Sequence, residues 1–549
     1  MSASSNKKLR TEQDTSKLTE RQIAEQQEAK KVKMYTIAFV VVLVVLLAIA
    51  AYVGISQYIR TSGVNENKTI ALTVGDTQLN NTELNYFFMD SVNNFYSQNG
   101  NYAAIFGLDV TKPLNQQVMD PETGDTWADY FVNTAKTNAT SVYALYGAAV
   151  KEGFTMPEAQ QNSVDSTIST LELYSTIYGY KDANQYLKAI YGSGASLESY
   201  RSYLEKTMLA SAYQTAYADS LTFTDADLRA AEADNYNKYS SYAYNYYNLP
   251  VSKFLEGGTT DENGNTTYSD EEKAAAQQKA EAAAKSLTGD EITTAQALDA
   301  AIAALSINAD NDTAMSTRYD DQSYTGINST IAQWLSDSSR KEGDITYLAN
   351  STTDADGKET INGYYIVRFD SVNDNTFPLK NVRHILVSFE GGTSDDSGNI
   401  TYSEEEKAAA KATAEELLNQ WKSGEATEDS FAALATEKSS DTGSTANGGL
   451  YEDIYPNQMV ASFNDWCFAE GRKAGDTGIV ETQYGYHVMY FVGDSDVTYR
   501  DYQIRNELTE NAVSEWYADL IANTNVTAGD TRYLSLGTVL SRNHKAVTA

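Results

Sequence analysis

The residues best suited to chemistry lie in the region 381–491. Two of the three histidines of the chain, His384 and His487, occupy apolar, strand-like segments at its two ends. A neutral imidazole has one donor and one acceptor nitrogen, and its neighbours decide which nitrogen carries the proton. A strand histidine on its own is usually an ordinary core or surface residue, so the surrounding pattern has to decide its meaning. The sequence contains no serine–histidine–aspartate set, zinc-ligand spacing or phosphate-binding loop.

The pattern between the two histidines is specific. A turn at Ser440-Asp441 comes first, a Gly448-Gly449 pair follows, and then comes Gln-Met-Val-Ala-Ser-Phe at 458–463. The region closes on Gly-Tyr-His at 485–487. This order and spacing resembles the parvulin-type peptidyl-prolyl isomerases. The resemblance implies an α+β fold, with an antiparallel sheet surrounded by helices, and prolyl-bond chemistry on protein substrates.

The resemblance also implies roles for single residues. His384 and His487 would lie on adjacent central strands and share a hydrogen-bonding network, with Thr482 beside them. Asp441 would lie close to the reacting amide, and Thr442 is an alternative because the alignment is uncertain by one residue. The proline pocket would be lined by Leu450, Met459 and Phe463. No metal or other cofactor is implied.

One departure from the family concerns the loop beside this pocket. Family members usually read Gly-Gly-Asp-Leu-Gly, whereas here Leu450, Tyr451 and Glu452 follow the glycine pair. The missing aspartate leaves the path of this loop open.

Catalysis of this isomerisation does not require a covalent bond between the enzyme and the substrate. The X-Pro bond rotates over a barrier of about 18–20 kcal/mol. A catalyst has to bind the twisted amide more tightly than the planar one. Apolar walls for the proline ring and a few fixed hydrogen-bonding groups are sufficient.

An internal repeat precedes and includes this region. Residues 257–276 match residues 391–410, and residues 363–369 match residues 485–491. Both copies place a capping box before an alanine-rich helix. We therefore predict two tandem parvulin-like domains, at 236–375 and 376–495. In the first copy Tyr365 corresponds to His487 and Asn248 to His384, so this copy is predicted to be degenerate.

The N-terminal part predicts attachment to a membrane. Residues 34–59 contain no charged side chain and are long enough for a transmembrane helix. The preceding residues 1–33 carry 8 Lys and Arg against 5 Asp and Glu, which predicts a cytoplasmic tail and an extracytoplasmic remainder. A cleaved signal peptide is the alternative, since Ala48-Ile49-Ala50 resembles a cleavage site.

The remaining segments are predicted from their periodicity. Residues 60–235 read as a mostly helical domain that opens with a strand at 69–74 and a helix capped by Thr82. In 496–549, an amphipathic helix at 500–523 is expected to pack on that helical domain, and the polar tail is expected to fray. The whole arrangement resembles the bacterial secretion foldases of the PrsA, SurA and PpiD group, whose helical part is a chaperone domain.

Composition limits the partners. The net charge of −34 argues against nucleic acid, because phosphate binding needs clustered Lys and Arg. Cys467 is the only cysteine and is expected in a core, because free cysteine behaves as a small hydrophobe. Asp395, Asp396 and Asn399 could suggest calcium, but a hairpin turn is favoured because no glutamate follows at loop spacing.

These observations predict a membrane-anchored extracytoplasmic foldase that isomerises X-Pro bonds in unfolded or nascent exported polypeptides. The alternative is a non-catalytic holdase chaperone whose parvulin domains serve as a scaffold. A passive cell-surface protein is a third possibility. The sequence leaves the oligomeric state open.

Overall fold

The computed structural model describes residues 20–307, 315–395, 399–540 and 546–547. The chain divides into two compact units. Unit 1 consists of residues 1–221 together with 512–549, and unit 2 consists of residues 222–511. The fold is mixed, with helices and small antiparallel sheets in both units.

The N-terminal segment forms one long helix, α1 (Glu20–Thr61). Among the residues that the structure describes, no helix combines the length and the apolar character that crossing a membrane requires. The predicted transmembrane helix at 34–59 is therefore not confirmed. Of the predicted cytoplasmic tail, residues 1–19 lie outside the described residues.

The N-terminal part of unit 1 is mainly helical. Its further elements are α2 (Val64–Lys68), β1 (Ile70–Val74), β2 (Thr77–Asn80), α3 (Asn81–Asn99), α4 (Trp127–Lys151), α5 (Glu158–Ile177), α6 (Ala183–Tyr191) and α7 (Leu197–Ser220). Helix α3 is capped by Asn80. The side-chain oxygen of Asn80 accepts the backbone N–H of Glu83, and the backbone N–H of Asn80 donates to the Glu83 carboxylate. The prediction of Thr82 as the cap was wrong, because Asn80, two residues earlier, forms the capping box and Thr82 lies in the first turn of the helix.

Unit 2 begins with α8 (Asp225–Asp234) and contains two four-stranded sheets. The elements of the first are β3 (Ser241–Pro250), β4 (Thr259–Thr260), β5 (Thr266–Thr267), α9 (Asp270–Ser286), α10 (Ala295–Ala304), β6 (Thr317–Ser323), α11 (Ser329–Leu335), β7 (Ile345–Thr353) and β8 (Glu359–Asn373). Those of the second are β9 (Pro378–Ser388), β10 (Thr393–Ser394), β11 (Ile400–Thr401), α12 (Glu404–Ser423), α13 (Glu428–Lys438), β12 (Leu450–Ile454), α14 (Ala461–Cys467), β13 (Thr477–Thr482) and β14 (Gly485–Thr498).

The two sheets share one topology. Their strand orders are β6-β3-β8-β7 and β12-β9-β14-β13, and every pairing is antiparallel. In each sheet the first and last strands along the chain are the central pair. Side chains alternate between the two faces of a strand. In the second sheet, one face packs on α12 and α13 and the other on α14.

The chain closes with α15 (Tyr499–Ala522) and the short strands β15 (Val526–Ala528), β16 (Val539–Leu540) and β17 (Ala546–Val547). Within unit 1, Trp516 of α15 stacks on Tyr217 at a centroid distance of 4.0 Å. Strand β15 pairs with β1, and Leu534 and Leu540 are buried. The last twenty or so residues were expected to fray, but Leu534 and Leu540 pack into the core of unit 1. Residues 541–545 and 548–549 lie outside the described residues.

The hairpin of β10 and β11 contains the segment that was weighed as a calcium loop. The carboxylate of Asp395 accepts the backbone N–H and the side-chain amide of Asn399, as in a tight turn. Asp396 lies outside the described residues. Among the residues that are described, no cluster of histidine, cysteine or carboxylate side chains could hold a metal ion.

Candidate active site

The two histidines meet on the central strands of the second sheet. His384 on β9 and His487 on β14 are 2% and 6% exposed, and their Nδ1 atoms are 2.9 Å apart. The strands run antiparallel with Met489 opposite His384 and Leu386 opposite His487, so the two imidazoles are diagonal neighbours on one face. Their rings lie 5.1 Å apart at an angle of 25°.

Polar partners lie at both ends of this pair. His384 Nε2 is 2.8 Å from Asp441 Oδ2 and 3.2 Å from Ser444 Oγ. His487 Nε2 is 2.9 Å from Thr482 Oγ1. The structure therefore brings all four residues that were predicted to be catalytic into one hydrogen-bonded chain. It also favours Asp441 over Thr442 as the residue beside His384.

The directions of these hydrogen bonds follow from the chemistry of the end groups. An ionised carboxylate only accepts, so His384 donates through Nε2–H to Asp441. Neutral His384 then accepts at Nδ1, and His487 has to donate through its own Nδ1–H. His487 Nε2 is left as an acceptor, which the hydroxyl of Thr482 satisfies. Every polar hydrogen in the chain points from Thr482 towards Asp441.

Electrostatics agree with two neutral imidazoles and one carboxylate. Burial lowers the pKa of His384, although Asp441 opposes this shift. Burial and the neighbouring His384 lower the pKa of His487 to about 4. Burial alone would raise the pKa of Asp441, but hydrogen bonds from Ser444, His384 and Tyr451 outweigh it and lower that pKa.

Apolar side chains surround the imidazoles on the same face. Phe463 of α14 is buried and meets both rings edge-on, with centroids 5.5 Å from His384 and 5.4 Å from His487. Met459 is half-buried and packs on the same cluster, whose buried members include Cys467. Of the predicted proline pocket, Phe463 is thus adjacent to the histidine pair, and Met459 packs on the cluster that contains Phe463.

The third predicted pocket residue lies elsewhere. The described contacts of this apolar cluster include Tyr451 and not Leu450. Adjacent residues of a strand point to opposite faces, so only one of the two can face the histidines. The Tyr451 ring lies 5.2 Å from that of His384, and its hydroxyl donates to Asp441. The structure favours Tyr451 over Leu450 at this position, which a shift of one residue in the alignment would have revealed.

The glycine pair fixes the loop behind His384. Gly448 and Gly449 have φ values of 73° and 72°, which glycine adopts readily. The carbonyl of Gly449 accepts from the backbone N–H of His384, and a Cβ at Gly449 would stand only 2.2 Å from the carbonyl oxygen of His384. Glycine is required here because the loop passes against the strand that carries the histidine.

The first sheet has tyrosines where the second has histidines. Tyr365 lies opposite Asn248, just as His487 lies opposite Leu386. His384 is two residues before Leu386, so its equivalent in the first sheet is two residues before Asn248, which is Tyr246. The sequence alignment with Asn248 was therefore wrong by two residues. The rings of Tyr246 and Tyr365 are 5.6 Å apart, in the arrangement of the histidine pair.

Comparisons with known proteins point to the same region. Residues 364–493 match the family model of the PPIC-type PPIASE domain. The chain is 35% identical over 115 residues to the foldase protein PrsA 1 of Listeria innocua, covering 21% of this chain and 31% of that protein. It is 32% identical over 118 residues to the chaperone SurA of Pseudomonas putida, covering 20% and 26%.

Among solved structures, the peptidyl-prolyl isomerase PrsA of Bacillus cereus matches with 26% identity and a TM-score of 0.18, over 27% of this chain and 49% of that one. The chain spans less than a third of the length of the two curated relatives named above. The match to the family model includes the whole histidine network. Residues 364–493 therefore contain a parvulin-type domain that is similar to the foldase PrsA and the chaperone SurA.

Proposed function

We propose that the chain is an extracytoplasmic foldase whose residues 376–495 catalyse cis/trans isomerisation of X-Pro bonds in exported proteins. The observation that carries this proposal is the hydrogen-bonded chain through His384 and His487 beneath an apolar cluster. The similarity to foldase and chaperone relatives supports the same conclusion.

The proposed mechanism is binding of the twisted amide. The proline ring packs on Met459 and Tyr451, with Phe463 behind them. The two imidazoles are almost fully buried beneath the apolar cluster. They act by keeping the hydrogen-bonded series from Thr482 to Asp441 in one arrangement. Groups that are already in place spend no free energy on reorganisation when the amide twists. Neither a nucleophile nor a charged imidazole is needed.

A protease-coupled assay on a proline peptide tests this proposal with the full-length chain. We expect His384→Ala and His487→Ala each to reduce kcat/KM about tenfold or more, because each change breaks the preorganised chain. Tyr365→Ala in the first sheet is the matched control and should leave the rate unchanged. A wild-type rate equal to the uncatalysed rate would reject the proposal.

We propose further that residues 236–375 are a duplicate that keeps the sheet and lacks the site. Its support is the shared strand order, together with the two tyrosines at the histidine positions. The two copies also share an arginine–tryptophan contact. Arg340 lies over Trp334 in the first copy, as Arg472 lies over Trp466 in the second.

The alternative function is a holdase chaperone that does not isomerise. One observation favours it: unit 1 contains a cleft of 1320 Å³ lined by aromatic and polar side chains, among them Tyr143, Tyr213 and Trp516. A chain carrying both histidine substitutions separates the two functions. A pure holdase would suppress aggregation of an unfolded protein equally well with and without the histidines, and neither form would accelerate isomerisation.

The extracytoplasmic location and membrane attachment through 34–59 rest on the sequence. Extraction of cell membranes at alkaline pH tests the attachment, since an integral protein stays in the pellet. Replacing Val44 and Leu47 by arginine should release the chain, because charge at the centre of a span is costly. Protease added outside intact, wall-free cells should digest the large C-terminal part.

A further inference from the structure

The carboxylate of Asp441 is the most heavily bonded group of the site. Its Oδ2 atom receives hydrogen bonds from His384 Nε2, the hydroxyl of Ser444 and the phenol of Tyr451. Its Oδ1 atom accepts the backbone N–H of Gly443 at 3.2 Å. A carboxylate with donors at both oxygens is held in one orientation. Asp441 is therefore fixed as the acceptor for His384.

Tyr451 differs from the other donors because it also belongs to the apolar cluster. Its hydroxyl lies 3.0 Å from Asp441 Oδ2, while its ring tilts by 32° over the ring of His384. Strand β12 holds this position by pairing Tyr451 with Val382 of β9. One side chain thus contacts both partners of the bond between His384 and Asp441. An aliphatic residue at this place would supply the wall without the donor.

We propose that Tyr451 is a positioning residue of the active site: its phenol orients the Asp441 carboxylate and thereby selects the Nε2–H tautomer of His384. This inference rests on the isomerase function proposed above for its effect on rate, although not for its effect on the tautomer. Since the tautomer of His384 decides that His487 donates through Nδ1, Tyr451 acts on the whole chain of hydrogen bonds through one carboxylate.

The proposal predicts how the site responds to pH. The groups that face Asp441 are His384, Ser444, Tyr451 and the N–H of Gly443, with His487 next along the chain. Hydrogen bonds to an ionised acceptor favour its charged form. Removing the phenol should raise the pKa of Asp441, so the carboxylate should lose its charge at a higher pH as the solution is acidified. His384 would then lose its acceptor earlier.

Histidine-selective ¹⁵N labelling of the full-length chain tests this directly, because the chain has only three histidines. In the wild type we expect protonated Nε2 for His384 and protonated Nδ1 for His487. In Tyr451→Phe the Nε2–H form of His384 should become a mixture. The pH at which it is lost should rise by about one unit, the size expected for a hydrogen bond to a charged group.

Two further variants make the result decisive. Ser444→Ala removes another donor to the same oxygen and should shift His384 in the same direction. Tyr490→Phe removes a hydroxyl from the other face of the sheet, where the ring packs on Trp421 and Phe431, and should leave the histidine signals unchanged. If Tyr451→Phe folds and keeps the wild-type tautomers and titration, the proposal is overturned, whatever Ser444→Ala does.

The isomerase assay supplies an independent reading. We expect Tyr451→Phe to lower kcat severalfold with little change in KM, and to move the acid limb of the pH profile upwards with the titration of His384. A wild type without isomerase activity that still shows the tautomer change on Tyr451→Phe would reject the proposed function and leave the role of Tyr451 standing. If the wild type is an active isomerase and Tyr451→Phe shows no tautomer change, the proposed function stands and the role of Tyr451 is rejected.

Discussion

The Nδ1 atoms of His384 and His487 are 2.9 Å apart, so one of these two nitrogens has to carry the proton between them. Asp441 at the far side of His384 decides which one it is. The protonation states of the two imidazoles are therefore coupled through this hydrogen bond. Its properties follow from burial and from the order of its hydrogen bonds.

The first prediction concerns stability in acid. Burial and His384 lower the pKa of His487 from about 6.5 to about 4. Between these two values the unfolded chain binds a proton that the folded chain does not. Folding stability should therefore fall as the pH drops from about 6.5 towards 4, by on the order of 3 kcal/mol from this group.

Denaturant unfolding at pH 7 and at pH 5 measures the part of this loss that falls above pH 5. Carboxylates also titrate in acid, so the informative quantity is the difference between the wild type and His487→Gln, which cannot take up the proton. The depressed pKa of Asp441 places its own contribution at a lower pH, below its ordinary value. An identical pH dependence in both proteins would show that His487 is not the group responsible.

The second prediction concerns the donor end of the chain. Thr482→Val keeps the shape of the side chain and removes the hydroxyl that His487 Nε2 accepts at 2.9 Å. A buried acceptor without a donor costs about 1–3 kcal/mol, so we expect that loss of stability together with a fall in isomerase activity. Thr482→Ser retains the hydroxyl and should stay close to the wild type in both measurements. Equal behaviour of the two variants would argue against a polar role for this residue.

The third prediction separates the energetic cost of a positive φ from the cost of a steric clash at Gly449. Gly449→Ala places a Cβ 2.2 Å from the carbonyl oxygen of His384 at a positive φ. Gly471 has a similar φ of 79° but nothing within 4 Å of the added carbon. Gly471→Ala should therefore cost only about 1–2 kcal/mol of stability. Gly449→Ala should cost more and should also shift the ¹⁵N signals of His384. If the two alanine variants are equally stable and active, the close approach is not important.

The fourth prediction concerns a buried charge in unit 2. Arg500 is 1% exposed, pairs with Glu232 and donates to the carbonyl of Asp374. Its guanidinium also lies 3.9 Å from the ring centroid of Tyr236. Arg500→Met should destabilise unit 2 by about 3 kcal/mol, because it removes a buried guanidinium and leaves Glu232 with only the half-exposed Arg229 as a charged partner.

Hydrogen exchange of unit 2 or denaturant unfolding checks this value. Lys279→Met removes a charge from the exposed pair with Glu256 and should have a much smaller effect. Adding Glu232→Leu to Arg500→Met should restore part of the stability, since it removes the carboxylate that Arg500 no longer pairs with, while Arg229 keeps its pair with Asp501. Destabilisation of the same size at both Arg500 and Lys279 would contradict the account.

The sequence alone determined the parts that depend on residue type and order. His384, His487, Asp441 and Thr482 were predicted from the resemblance to a family that the order and spacing of residues 381–491 indicated. Their contacts in the sheet agree with the shared network that the resemblance implied. The repeat in the sequence likewise corresponds to two sheets of one strand order.

Tertiary structure decided the parts that depend on register. Tyr451 rather than Leu450 contacts His384, and Tyr246 rather than Asn248 takes its place in the first sheet. A slip of one residue exchanges the two faces of a strand, and a slip of two moves a side chain to the next place along it. Local sequence does not encode such offsets, because bulges and loop lengths set them through pairing with distant strands. The direction of the hydrogen bonds from Thr482 to Asp441 also depends on the tertiary structure. It follows from the groups at both ends of the series, whose members come from four separate segments of the sequence.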